Sequence, residues 1–246
     1  MAPQRPKGAG ALDKDIPALS PAPVPPRSNE LYAALDLGTN SCRMLIAQPR
    51  GSGFHVVDSF SKSVQLGAGL EKTGRLSRGS MARTIQALRI CQQKLRRNKV
   101  QNMRLVATEA CRRAQNGAEF MLRIQRETGL KLDIIRPEEE AQLAVISCAP
   151  LVSRKTENLL VVDIGGGSTE LILVGPGEGA IPRILDWQSV PWGVVSLTDT
   201  VMGGMTPGQA DDEQGRLDLY AAMRRTVDES FAPFARRIGN APSAED

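Results

Sequence analysis

The sequence predicts an α/β protein with two similar halves that face each other across a cleft, the second half being incomplete. Two observations support this fold class. An apolar strand, an aspartate, a glycine-containing turn and a second apolar strand occur twice, with Asp36 and Asp163 placed 127 positions apart. Between the two copies, helical and strand patterns alternate, which is typical of a sheet covered by helices.

The first half is predicted to begin with three strands, over Leu31–Leu35, Arg43–Ala47 and Gly53–Phe60, where short apolar runs are separated by turn residues. A helix follows that Ser77 can cap. Its apolar residues recur at spacings of three and four, namely Met81, Ile85, Leu88, Cys91 and Leu95.

The rest of this half continues the alternation. The predicted elements are a strand over Met103–Thr108, a helix over Ala118–Thr128 that Gly129 ends, a strand over Leu132–Ile135, and a helix over Glu138–Ser147 behind Pro137.

The second half repeats the opening pattern over Leu159–Val174. A third strand is predicted over Ile184–Val190, and helices over Val194–Val201 and Asp211–Arg237.

We therefore divide the chain into a disordered tail (1–28), a first half-domain (29–153), an incomplete second half-domain (154–238) and a short tail (239–246). The first tail is rich in proline and poor in large apolar residues, so it cannot form a core.

Composition narrows the class of protein. Hydrophobic residues make up 41% of the 246 residues, and the formal net charge is +4, which favours anionic partners. Aromatic residues make up 4%, too few for the stacking surfaces of single-strand nucleic-acid binders. We therefore expect no specific nucleic acid as a partner.

Cysteine and histidine usage excludes several kinds of site. The four cysteines show no CxxC spacing, and His55 is the only histidine, which argues against zinc and against a histidine-dependent nucleophile. Unclustered cysteines are typical of reduced cytoplasmic proteins. The sequence has no 18-residue apolar run and no apolar segment near its N-terminus, so we expect a cytoplasmic protein with no membrane contact.

Both turns have the residues of a phosphate-binding loop. Successive backbone N–H groups in a concave turn bind phosphate oxygens, and glycine allows close approach. The candidate phosphate-binding residues are Gly38, Thr39, Asn40 and Ser41 in the first turn, and Gly165, Gly166, Gly167, Ser168 and Thr169 in the second. A flexible turn without a ligand is the alternative for either copy alone. Neither copy matches the Walker A loop or the dinucleotide-binding motif, and the doubled pattern is more specific than either copy.

Three acids accompany these turns. Asp36, Asp163 and Glu170 would repel a phosphate unless a cation lay between them, and carboxylate oxygens beside phosphate suit Mg²⁺. Stabilisation of the turns by aspartate side chains is the alternative for Asp36 and Asp163. We therefore predict that these three acids form a metal site.

Four further segments are informative together, and in order they are ALDLGTNSCRMLIA, VATEACRRAQN, RPEEEAQLA and VVDIGGGSTELIL. They resemble the Ppx/GppA phosphatase family of exopolyphosphatases and guanosine pentaphosphate phosphohydrolases, and the resemblance runs from about Leu31 to Arg237. It implies the actin-like, ribonuclease H-like ATPase superfamily fold. It also implies hydrolysis of terminal phosphate from polyphosphate or guanosine pentaphosphate, with Mg²⁺ as cofactor.

The resemblance also assigns roles to individual residues. It places the catalytic glutamate, a general base for the attacking water, at Glu139, and the phosphate-binding arginine at Arg112. Asp163 and Glu170 match acids that the family uses for metal and water. One departure is that Arg136-Pro137 stands where the family has Ser-Gly.

A second departure concerns the C-terminal part. The family continues into a Gly-Ser-Gly-Thr turn, whereas this sequence passes from Arg237 into a polar tail, so we expect a truncated chain.

The expected activity is that of an acid-anhydride hydrolase, with polyphosphate or guanosine pentaphosphate as substrate. A homodimer is one option for the oligomeric state. The alternative is a catalytically silent phosphate-binding fragment or regulator. A kinase of the same superfamily lacks support, because the adenine-side motif is missing.

Overall fold

A computed structural model of the chain describes residues 30–51, 53–151, 158–177, 182–203 and 212–239. The predicted N-terminal tail (1–28) and nearly all of the C-terminal tail (239–246) lie outside the described residues. The predicted boundary between the two halves, at 153/154, also lies outside them and stays a prediction.

The first half contains a five-stranded sheet with the strand order β3-β2-β1-β4-β5. Its strands are β1 (Tyr32–Leu37), β2 (Ser41–Arg50), β3 (Gly53–Ser63), β4 (Asn102–Ala107) and β5 (Asp133–Ile134). Strand β1 pairs antiparallel with β2 and parallel with β4. Its side chains alternate between the core and the other face, since successive residues of a strand point to opposite faces.

Helices cover this sheet and connect its strands. They are α1 (Leu70–Thr73), α2 (Arg78–Arg97), α3 (Glu109–Arg113) and α4 (Gly117–Thr128). The Ser77 side chain accepts a hydrogen bond from the Ser80 backbone N–H and caps α2, as predicted. Gly129 ends α4 with φ of 74°, also as predicted. Helices α1 and α3 were not predicted, because four or five residues are too few for a helical periodicity.

The second half contains a three-stranded antiparallel sheet, β6-β7-β8. Its strands are β6 (Leu159–Ile164), β7 (Thr169–Gly175) and β8 (Arg183–Val190). Helix α5 (Pro137–Cys148) packs on one face of this sheet and is followed by a short 3₁₀ turn, Ala149–Leu151. Helices α6 (Val194–Gly203) and α7 (Glu213–Gly239) follow β8.

The two hydrophobic cores differ in size. The core of the first half lies between its sheet and helices α2 and α4, and includes Leu35, Leu88, Phe120 and Ile124. The core of the second half is small and consists of Ala141, Val145, Val161, Ile172 and Val174. No helix in the described part of the chain is long and apolar enough to cross a membrane.

Candidate active site between the two hairpin turns

The turn of the β1–β2 hairpin and the turn of the β6–β7 hairpin are built in the same way. The Gly38 N–H donates to the Ser41 carbonyl at 2.9 Å, and the Gly165 N–H donates to the Ser168 carbonyl at 2.9 Å. The internal repeat of the sequence is therefore also a repeat of backbone geometry.

The two turns contact each other. A Cβ atom on Gly166 would lie 3.0 Å from the Asn40 backbone nitrogen and 3.1 Å from the Thr39 Cβ, so the glycine allows this close approach without a shift of the first turn. A cavity of about 270 Å³ lies beside the contact. Its lining includes Asp36, Gly38, Thr39, Asn40, Ser41, Arg43, Thr108, Glu109, Glu140, Asp163, Ile164, Gly165, Gly166, Gly167, Ser168, Glu170 and Val194.

The first turn is held by the segment that follows β3. The Thr39 carbonyl accepts a hydrogen bond from the Gly67 N–H at 2.9 Å, and the Asn40 carbonyl accepts from the N–H groups of Val64 and Gln65 at 2.8 and 2.9 Å. In a trans peptide the C=O and the following N–H point in opposite directions. The N–H groups of Asn40 and Ser41 therefore point away from this segment.

The second turn is held by the start of α6. The Gly165 carbonyl accepts from the Val194 N–H at 3.1 Å, and the Gly166 carbonyl accepts from the Val195 N–H at 2.9 Å. The Gly167 carbonyl accepts from the Ser196 hydroxyl at 3.0 Å.

With three successive carbonyls turned towards α6, the following N–H groups, those of Gly166, Gly167 and Ser168, point away from the helix. Such a row of N–H groups is suited to an anion.

Thr39 contributes a buried hydroxyl to the cavity wall. Among the described residues, its Oγ1 has no hydrogen-bond partner. A Cβ on Gly167 would lie 2.5 Å from this oxygen, so the glycine makes room for it. Because a buried polar atom without a partner is costly, this hydroxyl is suited to a hydrogen bond with a polar group or water in the cavity.

Glu140, and not Glu139, lines the cavity. Burial, followed by the nearby Glu170 carboxylate, raises the pKa of Glu140 to about 7, although Arg112 acts in the opposite direction. The Glu139 carboxylate instead pairs with Arg104 at 2.7 Å, and its side chain is 40% exposed.

Glu139 therefore lies one position away from the glutamate that lines the cavity, and its catalytic role stays a prediction. Successive helix residues differ by about 100° in direction, so Glu139 and Glu140 of α5 face different surroundings.

Arg112 lies behind the cavity wall. Its guanidinium donates to Glu109 Oε2 at 2.6 Å, to Glu140 Oε2 at 3.3 Å and to the Ile135 carbonyl at 2.8 Å. The side chain predicted to bind phosphate is thus engaged by two carboxylates. Thr169 is also outside the cavity lining, since its hydroxyl donates to the Trp192 carbonyl at 2.6 Å.

The three predicted metal ligands line the cavity but differ in their environments. Burial raises the pKa of Asp36, as does Asp163 to a smaller extent, while Arg43 lowers it. Glu170 is almost fully buried and accepts from the Ser189 hydroxyl at 2.8 Å. Within the described ranges, no three acidic, histidine or cysteine residues are arranged to hold one ion together.

Two glycines were missed by sequence reasoning. A Cβ on Gly67 would clash with Thr39, and a Cβ on Gly193 would lie 2.5 Å from the Gly165 carbonyl oxygen. Both glycines therefore allow a supporting segment to approach its turn. A sequence signal existed, because Val64 and Val190 each begin a Val-x-x-Gly pattern where the third strand of their half ends.

Comparison with protein families gives a match over residues 45–229 to the family described as the Ppx/GppA phosphatase family. Two curated relatives, named guanosine-5'-triphosphate,3'-diphosphate pyrophosphatase, come from Aeromonas hydrophila and Aeromonas salmonicida. Each is 35% identical over 165 residues, which is 67% of this chain and 33% of the relative. The chain thus spans about a third of the length of these relatives.

Solved structures with similar folds include proteins of the same family. A Ppx/GppA family member from Aquifex aeolicus is 32% identical with a TM-score of 0.59, covering 81% of this chain and 62% of that one. An exopolyphosphatase from Cytophaga hutchinsonii is 25% identical with a TM-score of 0.73, covering 86% of this chain and 64% of that one.

Proposed function

The chain belongs to the Ppx/GppA phosphatase family, and from this we propose that it releases terminal phosphate from inorganic polyphosphate, from guanosine pentaphosphate, or from both. The observation that carries the proposal is the position of Glu140 in a cavity that both hairpin turns line. A carboxylate next to two rows of N–H groups is suited to the transfer of a phosphoryl group to water.

Phosphate binding is assigned to the two turns. The N–H groups of Asn40 and Ser41 from one side, and of Gly166, Gly167 and Ser168 from the other, would bind the oxygens of the terminal phosphate. A phosphate oxygen would also give the Thr39 hydroxyl the partner that it lacks among the described residues. Because the turns are held by their carbonyls, these donors are in place before the substrate arrives.

Glu140 is assigned as the general base. It would accept a proton from the water that attacks the terminal phosphorus. A base with a pKa near the working pH combines a substantial ionised fraction with adequate basicity, and the pKa of Glu140 is raised to about 7. The Glu139 carboxylate is less suitable, because it is paired with Arg104 outside the cavity.

Of the three predicted metal ligands, two fit a Mg²⁺ ion better than all three together. Asp163 and Glu170 are direct cross-strand neighbours, an arrangement of like charges that a cation relieves. Asp36 and Asp163 would hold the ion, which usually keeps several waters, while Glu170 stays hydrogen-bonded to Ser189. When bound, Mg²⁺ supplies positive charge next to the phosphate oxygens.

A second candidate function is phosphate binding without turnover. It is favoured by the pairing of Arg112 with the Glu109 and Glu140 carboxylates, since the guanidinium predicted to bind phosphate is outside the cavity lining. A cytoplasmic location and a homodimer remain predictions. The four cysteines are free thiols, which agrees with a reducing compartment.

The test is phosphate release from polyphosphate and from guanosine pentaphosphate by the chain and two matched variants. Glu140→Gln keeps the shape and removes the base, so we expect a loss of about 10²–10⁴-fold in kcat. Glu139→Gln, one position away, should keep the rate within about twofold, since an exposed ion pair contributes little.

The opposite ranking of the two variants would restore Glu139 as the base. Binding of tripolyphosphate without any release by the parent chain would favour the second candidate function.

A further inference from the structure

A row of five alternating charges runs from α1 to the cavity. In order, the pairs are Glu71–Arg113 at 2.6 Å, Arg113–Glu109 at 3.5 Å, Glu109–Arg112 at 2.6 Å and Arg112–Glu140 at 3.3 Å. Arg113 is exposed, whereas the other four residues are at least partly buried, so solvent screens the contacts at the cavity end of the row less than surface pairs.

Glu109 is the central member of this row. Its two carboxylate oxygens face two different arginines, Oε2 facing Arg112 and Oε1 facing Arg113. The residue is buried and lines the cavity. It also touches the second turn, since a Cβ on Gly167 would lie 3.0 Å from the Glu109 Cγ.

Arg112 is shared unequally between its two acids. The contact with Glu109 is 2.6 Å, whereas both contacts with Glu140 are 3.3 Å and go to the same oxygen, Oε2. In the described part of the chain, Glu140 Oε1 receives no hydrogen bond. The strong pairing with Glu109 thus leaves one oxygen of Glu140 available.

We propose that Glu109 is a positioning residue that keeps Arg112 from closing on Glu140. This inference rests on the proposed function, in which Glu140 accepts a proton from water. Without the Glu109 charge, Arg112 would form a bidentate pair with Glu140 and occupy both oxygens. The same change removes a negative charge from the cavity wall, so a phosphate substrate would bind more tightly.

The two effects give a distinctive kinetic result. Glu109→Gln should lower kcat for polyphosphate by roughly tenfold and also lower KM by roughly tenfold, leaving kcat/KM nearly unchanged. Glu109→Asp keeps the charge, so it should restore values close to those of the parent chain. General damage to the site would instead lower kcat/KM.

The matched control is Glu127→Gln. Glu127 also lies between two arginines, at 2.7 Å from Arg123 and 3.0 Å from Arg89, but it is outside the cavity lining. We expect it to change neither kcat nor KM.

Three results would overturn the role of Glu109: an unchanged kcat in Glu109→Gln, a fall in kcat with KM unchanged or raised, or a Glu109→Asp variant as slow as Glu109→Gln.

A parent chain without turnover would contradict the proposed function instead. Calorimetric binding of tripolyphosphate then tests the charge of Glu109. Roughly tenfold tighter binding by Glu109→Gln would support its position in the wall, and equal binding would exclude it.

Discussion

Strands β1 and β6 occupy the same position in the two halves but have opposite surroundings. Residues Leu35 and Leu37 of β1 are each 1% exposed, whereas Val162 and Ile164, their counterparts 127 positions later, are 45% and 63% exposed. Strand β1 has β4 on its second edge, whereas β6 pairs only with β7 among the described residues. The same strand pattern therefore stabilises one half far more than the other, because burial depends on what packs against the strand.

The largest loss of stability should come from truncating a side chain of β1, compared with its counterpart in β6. Leu37→Ala should lower the free energy of unfolding by about 2–5 kcal/mol, as expected for a large buried side chain. Ile164→Ala, at the equivalent position, should lower it by less than about 1 kcal/mol, because little burial is lost. Urea unfolding followed by circular dichroism measures both. Equal losses would show that something covers β6 in solution.

The cleft between the halves should make stability depend on pH through Glu140. Its folded pKa of about 7 is above the ordinary glutamate value of 4.5, so between these values the folded state holds a proton that the unfolded state releases. The contribution of Glu140 to the free energy of unfolding should therefore be highest below pH 4.5. It should fall by at most about 3 kcal/mol as the pH rises to 7.

The corresponding measurement is urea unfolding at several pH values for the parent chain and Glu140→Gln. The variant should lack this decrease and be the more stable of the two at pH 8. Parallel pH profiles would mean that the Glu140 carboxyl is not buried in solution.

The supporting glycines should show the smallest difference between the halves. Gly193→Ala brings a methyl group against several backbone atoms of the second turn, whereas the closest atom to a methyl group in Gly67→Ala belongs to the Thr39 side chain. We expect losses of about 1–3 kcal/mol, larger for Gly193→Ala. Thermal unfolding of the two variants tests the order, and the reverse order would indicate that the first turn is the more tightly packed one.

The sequence was sufficient for the parts of the fold that depend on local patterns. The doubled hairpin was predicted because an apolar run followed by Asp-x-Gly can be recognised locally, and Ser77 and Gly129 mark helix ends by their own chemistry. Both hairpins have the predicted strand–turn–strand form.

The prediction of site residues was weaker where the direction of a side chain decides whether it lines the cavity. Three glutamates in a row begin α5, and which of them faces the cavity depends on how the helix packs, so Glu139 was chosen where Glu140 lines the site. Glu109 was not among the predicted site residues, because its partnership with Arg112 depends on the short helix α3. Thr169 was included as part of a motif, although the strand alternation turns it away from the cavity.

The attachment of the second turn to the start of α6 has a mechanical consequence. The carbonyls of Gly165 and Gly166 are bonded to N–H groups of that helix, so these peptide planes cannot rotate without breaking bonds to α6. Helix α6 in turn contacts α1 of the other half, where the Asp199 carboxylate accepts from the Gly69 N–H at 3.3 Å. A displacement of α1 relative to α6 would therefore tilt the N–H groups of the second turn, so the separation of the two halves would change how strongly these groups bind the phosphate proposed for them.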